Sequence, residues 1–422
     1  MAVRRHPETI PMLRFPAPSF EQLTVKTVAV KTVAVTVLVA LAVQAPSVRA
    51  QDIDPASDVE APVFYEYDPP STLVVPYTDV PRAKYPFVDV HNHQWLMPTQ
   101  DLGALLQEMD GLNMAVMVNL SGRGVQRKQR ADGSTYFGLG PETFFDGVMR
   151  NVHENGAGRI LVFTNIDVAG IDEPGWSEAM AAQVAKDVEA GAVGLKIYKG
   201  LGLDSVDKDG RRIAVDDPRL DAVWAKCGEL GIPVLIHSGE PSAFWLPKDG
   251  SNERLLEMME RPGRWRGDPE KYPSFEAILA EQHRVFRKHS KTKFINAHLG
   301  WLGNDLGRLG KLLDELPNVY TEIGAVIAEL GRQPRAGHRF LVKYQDRVLF
   351  GKDTWRPSEY PLYFQILETD DDYVKYFRKR HAFWRLYGLD LPDETLRKIY
   401  FENALHLFPS LDRSLFPTPA AP

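Results

Sequence analysis

The chain has 422 residues, 44% of them hydrophobic and 25% charged, which is enough apolar sequence for a large core and too much for a disordered tail. Its 50 Lys and Arg against 56 Asp and Glu give a formal charge of −6 with no long basic run, which argues against a nucleic-acid partner. The single cysteine, Cys227, excludes an intrachain disulfide and cysteine-rich zinc sites, and its helical surroundings from Trp224 to Leu230 mark it as a buried structural thiol.

Val25 to Val43 is almost all Val, Ala, Thr and Leu. Lys26 and Lys31 flank the apolar run Val35–Val43, and Val48-Arg49-Ala50 offers a small-residue cleavage site, so residues 1–50 read as an export signal. Cleavage after Ala50 leaves Gln51 as the mature N-terminus of a periplasmic or secreted protein. The run is short for a bilayer span, and an uncleaved membrane anchor or a cytoplasmic protein with a later translation start are the alternatives. Residues 51–83, rich in Pro, Asp and Tyr, form an irregular extension, and 411–422 a tail.

From Tyr85 onward, β-branched or apolar runs recur at Phe87–His93, Met114–Ser121, Arg159–Asp167, Ala192–Lys199, Ile232–Ser238, Lys293–Leu299, Asn318–Gly324 and Val348–Thr354. Between them lie segments of helical spacing: Asp101–Leu112, Glu142–Asn155, Trp176–Ala190, Pro218–Leu230, Tyr272–His289 and Asp305–Leu316. Eight strands alternating with helices predict an α/β fold, a (β/α)8 TIM barrel over residues 84–410, with an insertion after the fifth strand at 239–271. An open doubly wound sheet is the rival, but the first strand runs into Gln94-Trp95-Leu96 where a phosphate-binding fold places glycines.

Side chains alternate along a strand, and barrel chemistry collects at the strands' C-terminal ends. Taking the Val and Ile positions as helix-facing sends Phe87, Asp89, His91 and His93 inward on the first strand, and Lys196 and Tyr198 on the fourth. His237 follows on the fifth, Asn296 and His298 on the sixth, and Asp353 on the eighth. Imidazoles with a carboxylate are ordinary ligands of zinc and its neighbours. A lone His-x-His pair in a strand is more often structural. The weight comes from four of the 11 histidines, His91, His93, His237 and His298, all sitting at strand ends. Trp95, Tyr198, Phe244, Trp245, Trp265, Trp301 and Trp355 would crowd the same rim, with Arg264, Arg266 and Arg356 available to a substrate acid. Packing of the insertion onto the barrel is the competing use of these side chains. Glu240 and Glu322 are candidates for orienting a ligand histidine.

Asp89-Val-His91-Asn-His93, Leu235-Ile-His237-Ser-Gly-Glu240, Asn296-Ala-His298-Leu-Gly300, Gly351-Lys-Asp353 and Glu402-Asn-Ala-Leu-His-Leu-Phe408 together resemble the amidohydrolase superfamily. Within it they are similar to the amidohydrolase-related branch that includes aminocarboxymuconate-semialdehyde decarboxylase and several lactonases. The resemblance implies a metal-dependent barrel enzyme in which His91, His93, His237 and Asp353 bind the ion and His298 is the catalytic histidine. It also extends the branch's habit of forming homodimers to this chain. Binuclear members carry a carboxylated lysine at the end of the fourth strand, so Lys196, with His298, either serves a second metal or anchors a substrate carboxylate; one divalent ion, zinc, is the preferred reading.

The chemistry expected is hydrolysis of an amide, lactone or other ester of a small-molecule substrate by a hydroxide generated on the ion, with Asp353 taking and returning the proton and His298 polarising the carbonyl or shuttling a proton. Non-hydrolytic decarboxylation of an aromatic or unsaturated acid is the alternative. A barrel that has lost catalysis and serves as an exported binding protein is a third, opposed by the complete set of candidate ligands.

Overall fold

The structure, a computed structural model, describes residues 67–129, 135–378, 380 and 384–418. The signal segment, its cleavage site after Ala50, the first part of the extension and the last residues of the tail lie outside the described residues. Residues 67–86 carry neither helix nor strand.

Eight strands form the central sheet: β1 (Phe87–Asn92), β2 (Met114–Asn119), β3 (Ile160–Asn165), β4 (Gly194–Ile197), β5 (Val234–Ile236), β6 (Phe294–Asn296), β7 (Val319–Glu322) and β8 (Val348–Leu349). They pair in chain order and all in parallel. Val90 N–H donates to the Phe350 carbonyl at 3.0 Å and Asp353 N–H to the His91 carbonyl at 2.6 Å, which joins the last strand to the first. The predicted (β/α)8 barrel is therefore the fold. Its strands are nearly continuous apolar runs because the helix layer covers one side and the barrel interior the other.

The outer layer is α1 (Leu102–Leu112), α2 (Glu142–Asn155), α3 (Trp176–Glu189), α4 (Asp221–Leu230), α5 (Phe275–Lys288), α6 (Leu306–Glu315), α7 (Pro334–Lys343) and α8 (Tyr360–Glu368). Asp101, Ser274 and Asp305 cap α1, α5 and α6 by accepting from the N–H groups of Ala104, Ala277 and Arg308. Gly231 ends α4 at φ +71°. Cys227 is fully buried on α4. No helix among the described residues is long and apolar enough to cross a membrane.

The expected insertion after β5 holds short helical turns at Ser242–Trp245, Leu255–Glu260 and Pro262–Arg264. Three features were not legible in the sequence rhythm. One antiparallel hairpin (Val125–Gln129 with Thr135–Leu139) follows β2, and a second (Val374–Lys375 with Arg385–Leu386) follows α8. The third is a terminal helical run from Asp393 to Leu407, where Ile399 O accepts from Phe350 N–H at 2.9 Å beside β8.

Simple alternation fails at two places. Phe87 packs on Phe350, Phe364 and Tyr400, with ring centroids 4.7, 5.3 and 6.0 Å away, and the Tyr360 hydroxyl donates to Asp89 at 2.7 Å. Both residues thus face α8 and the terminal helices, not the barrel interior. The pairing of β1 with β2 shifts register between Asp89 and Asn92, and this irregularity changes the facing before His91. On β6, Phe294 lies 4.8 Å from Phe286 of α5, so Phe294 and, two residues on, Asn296 share the helix-facing side. His298 reaches the interior by another route. The chain leaves β6 in a left-handed turn, with φ of 60°, 53°, 59° and 55° at His298, Leu299, Gly300 and Trp301.

Candidate metal centre

His91 is the last residue but one of β1, and its ring is wholly buried. Its Nδ1 lies 2.9 Å from Glu322 Oε1, and its Nε2 faces Asp353 Oδ1 and Lys196 Nζ, each at 3.4 Å. Glu322 Oε1, the atom that faces Nδ1, also accepts a backbone N–H, so Nδ1 carries the proton and Nε2 presents a lone pair. The Glu322 carboxylate, at the end of β7, also accepts from the N–H groups of His298, at 2.6 Å, and Gly324. A Cβ on Gly351 would run into this carboxylate and approach His91 Cβ to 3.0 Å, so the close fit of β8 on β1 and β7 requires glycine there.

His93 Nε2 lies 3.7 Å from the same Asp353 oxygen, and its Nδ1 lies 2.8 Å from Ser121 Oγ. Ser121 Oγ meets the Tyr198 hydroxyl at 3.1 Å, which donates to the Leu120 carbonyl at 3.0 Å. The carbonyl can only accept, so proton directions are fixed along the chain: Tyr198 donates to Leu120, Ser121 to Tyr198, and His93 Nδ1–H to Ser121. His93 Nε2 is then also unprotonated. Burial drives the Tyr198 phenol well above its ordinary pKa, which keeps that proton in place.

The other two histidines lie side by side. His298 Nδ1 lies 2.7 Å from the Gly324 carbonyl, so it bears a proton, and His298 Nε2 lies 3.3 Å from His237 Nδ1. His237 Nε2 is buried with no hydrogen-bond partner.

Burial pushes the His91 and His237 rings far below the usual imidazole range and His93 to about 3; the Lys196 charge lowers all three further, and Asp353 opposes this at His91 and His93. Burial lowers Lys196 to about 7 against the pull of Asp353 and Glu322. For Asp353, burial disfavours the charge, but His91, His298, His93 and Lys196 outweigh it and hold the carboxyl below the usual carboxylate range. Donor atoms of His91, His93 and Asp353 all lie within 4.8 Å of one another. The free Nε2 atoms of His91 and His93 and the ionised Asp353 carboxylate form a donor trio that fits a divalent transition-metal cation, whereas His237, its Nε2 buried without a partner, is not among the donors within that distance. Glu322, with His91 and His298, makes a second close trio, but its oxygens are taken by N–H donors and it serves as support.

Two aromatic walls flank the group. Trp95 stacks on His93 at 5.1 Å and 6°, beside Tyr198 at 5.6 Å from the same ring. Trp301 lies 4.6 Å from His298 and 5.6 Å from His237. Several of the sequence candidates are not brought to the group, Trp245, Trp355, Arg264 and Glu240 among them, each because a nearer partner holds it. Trp245 donates to the Pro273 carbonyl and packs on Phe275; Trp355 donates to Glu108 on α1. Arg264 pairs with Glu257, and Glu240 with Lys199 at 2.5 Å. Ser121 and the Leu120 and Gly324 carbonyls were missed, since no spacing rule links them to the histidines they touch.

No curated protein matches the chain. Among solved structures, 2,6-dihydroxybenzoate decarboxylase from Rhizobium is 14% identical, with 77% of this chain and 99% of that chain covered at a TM-score of 0.46. Dihydroxybenzoic acid decarboxylase from Polaromonas sp. JS666, with bound manganese and 2-nitroresorcinol, is 14% identical over 78% of this chain and 99% of that one at 0.47. An amidohydrolase from Burkholderia multivorans with bound HEPES is 13% identical over 76% and 98% at 0.42. The family model described as amidohydrolase matches residues 88–410, from β1 through the terminal helices and so across the whole barrel and its histidine-lined rim. This chain belongs to the amidohydrolase family of metal-dependent enzymes.

Proposed function

We propose that the enzyme hydrolyses an amide, lactone or other ester bond in a small molecule, with one zinc ion held by His91, His93, His237 and Asp353. The observation that carries this reading is the convergence of the His91 and His93 Nε2 atoms on Asp353 Oδ1, with both Nδ1 positions fixed from behind. When bound, the ion supplies Lewis acidity that lowers the pKa of a water and polarises a carbonyl. Asp353, ionised and about one-third exposed at its side chain, takes the proton of the attacking water and delivers it to the leaving group. His298, fixed at Nδ1 by Gly324, offers only Nε2 to the site and accepts and returns one proton there. Trp95 and Trp301 shield the reacting group from bulk water and orient a flat substrate.

Lys196 separates one ion from two. A buried amine lowered to about 7 is about half free at neutral pH and able to take up carbon dioxide, the modification that would let it bridge a second ion. Metal analysis of the 51–422 form with and without Lys196→Ala decides this. One equivalent of zinc surviving the substitution supports the single-ion site; two falling to one or none supports a carboxylated Lys196.

Decarboxylation of an aromatic acid is the second reading, favoured by the half-exposed indole of Trp95, which stacks on His93 and offers an aromatic face to a planar ring. A panel scored for carbon dioxide release from carboxylic acids and for acid release from esters, lactones and amides separates the two. Carbon dioxide without hydrolysis overturns our first reading. We also propose export with removal of residues 1–50, which the charged flank and small-residue site support; N-terminal sequencing that finds residues before Gln51 on the native protein overturns it.

A further inference from the structure

Asp89 is wholly buried two residues before His91, yet its carboxylate is not a metal donor, because four hydrogen-bond donors occupy its two oxygens. Oδ2 accepts from the Tyr360 hydroxyl at 2.7 Å and from Asn92 Nδ2 at 2.8 Å. Oδ1 accepts from two backbone N–H groups, those of His91 at 3.0 Å and Lys352 at 3.1 Å. One oxygen thus ties the backbone of one candidate ligand to the residue just before another, Asp353, across 263 positions of sequence.

The tie falls where the sheet gives out. β8 ends at Leu349, and the pairing of β1 shifts register between Asp89 and Asn92. Past Phe350, the chain holds to β1 through Lys352 N–H on Asp89 and Asp353 N–H on the His91 carbonyl, at 2.6 Å. Lys352 Nζ donates to the Thr354 carbonyl at 3.0 Å and pairs with Glu359 at 2.5 Å, which fixes the backbone on the other side of Asp353. Between these ties Asp353 takes φ +81°, a left-handed conformation unfavourable for any residue but glycine. Such a backbone persists only where its surroundings over-determine it. Held this way, Asp353 places Oδ1 3.4 Å from His91 Nε2 and 3.7 Å from His93 Nε2.

We propose that Asp89 is a positioning residue of the metal centre: by holding the N–H groups of His91 and Lys352 on one oxygen, it sets the separation of the His91 ring and the Asp353 carboxylate. This role deepens the proposed function and rests on its assignment of His91 and Asp353 as ligands of one ion. Glu322 fixes the direction of the His91 ring, whereas Asp89 fixes the distance between two backbones.

The test is the visible spectrum of the cobalt(II)-loaded protein, whose bands report ligand geometry, together with zinc affinity by competition with a chelating dye. Asp89→Thr, of similar size and suited to a strand, has a hydroxyl too short to accept both N–H groups. Its cobalt bands are expected to change in position and intensity, and its zinc affinity to fall about 10- to 100-fold, the scale of a lost support to a ligand. Asp89→Asn keeps an oxygen that accepts the same two N–H groups and is expected to lie closer to wild type in both readouts. Tyr360→Phe removes a donor from Oδ2 alone; it is expected to lower the thermal midpoint while keeping wild-type bands and zinc affinity, which separates positioning from stability. Asp89→Ser carries the test if circular dichroism shows that Asp89→Thr does not fold. Wild-type bands and affinity in the Thr or Ser variant, or a change in Tyr360→Phe as large as theirs, overturn the proposal and leave the metal site standing. Wild type that takes up neither cobalt nor zinc overturns the ligand assignment itself, and this role with it.

Discussion

Glu322 shows how one side chain sets a site it does not have to enter. Its two oxygens accept from the His91 ring and from the Gly324 and His298 backbone, tying β1, β7 and the turn after β6 to one buried carboxylate. Glu322→Gln keeps the shape but turns an acceptor into a donor, and zinc affinity is expected to fall about 10- to 100-fold by competition with a chelating dye. Asp353→Asn is expected to abolish turnover of any identified substrate with little change in thermal stability; unchanged activity would remove Asp353 from the role of proton carrier. Cys227 has no part in this chemistry, since burial raises its thiol to about 12. It is expected to resist a thiol reagent in the native protein and to react fully in denaturant.

At the scale of elements, the rhythm of runs and punctuation located all eight strands, because alternating short apolar runs with amphipathic segments is a local property. The facing of the side chains was not local. His298 was assigned inward by counting from Ile295, whereas the left-handed turn from His298 to Trp301 aims it. Gly300 is the one glycine in that turn, at φ +59°, and a Cβ there would strike the Asn296 amide. Gly300→Ala is expected to cost about 1–2 kcal/mol for the left-handed conformation alone, seen as a lower midpoint in urea, together with weaker zinc binding. A wild-type midpoint and affinity would show that the turn is not what holds His298.

On the scale of the whole molecule, the terminal helices belong to the barrel wall. Asn403 donates to the Gln345 and Val348 carbonyls at 2.6 and 2.7 Å, and Ile399 accepts from Phe350, so the segment read in the sequence as a family motif covers β8 where its partner strand β1 diverges. Asn403→Ala strands two carbonyls and is expected to destabilise the fold by about 1–3 kcal/mol, measured as a shift in the thermal midpoint. The sequence by itself determined the barrel, its strand order and the residue types available for metal chemistry, because periodicity, turn residues and histidine placement act within a few residues of one another. Only the tertiary structure decided which candidates meet. Trp245, Arg264, Trp355 and Glu240 found partners nearer than the histidines. Ser121 and Gly324 gained their places from histidines 28 and 26 residues away along the chain. A buried donor, acceptor or charge takes the partner that packing brings closest, and that partner is fixed by the closure of the whole barrel rather than by the residues on either side.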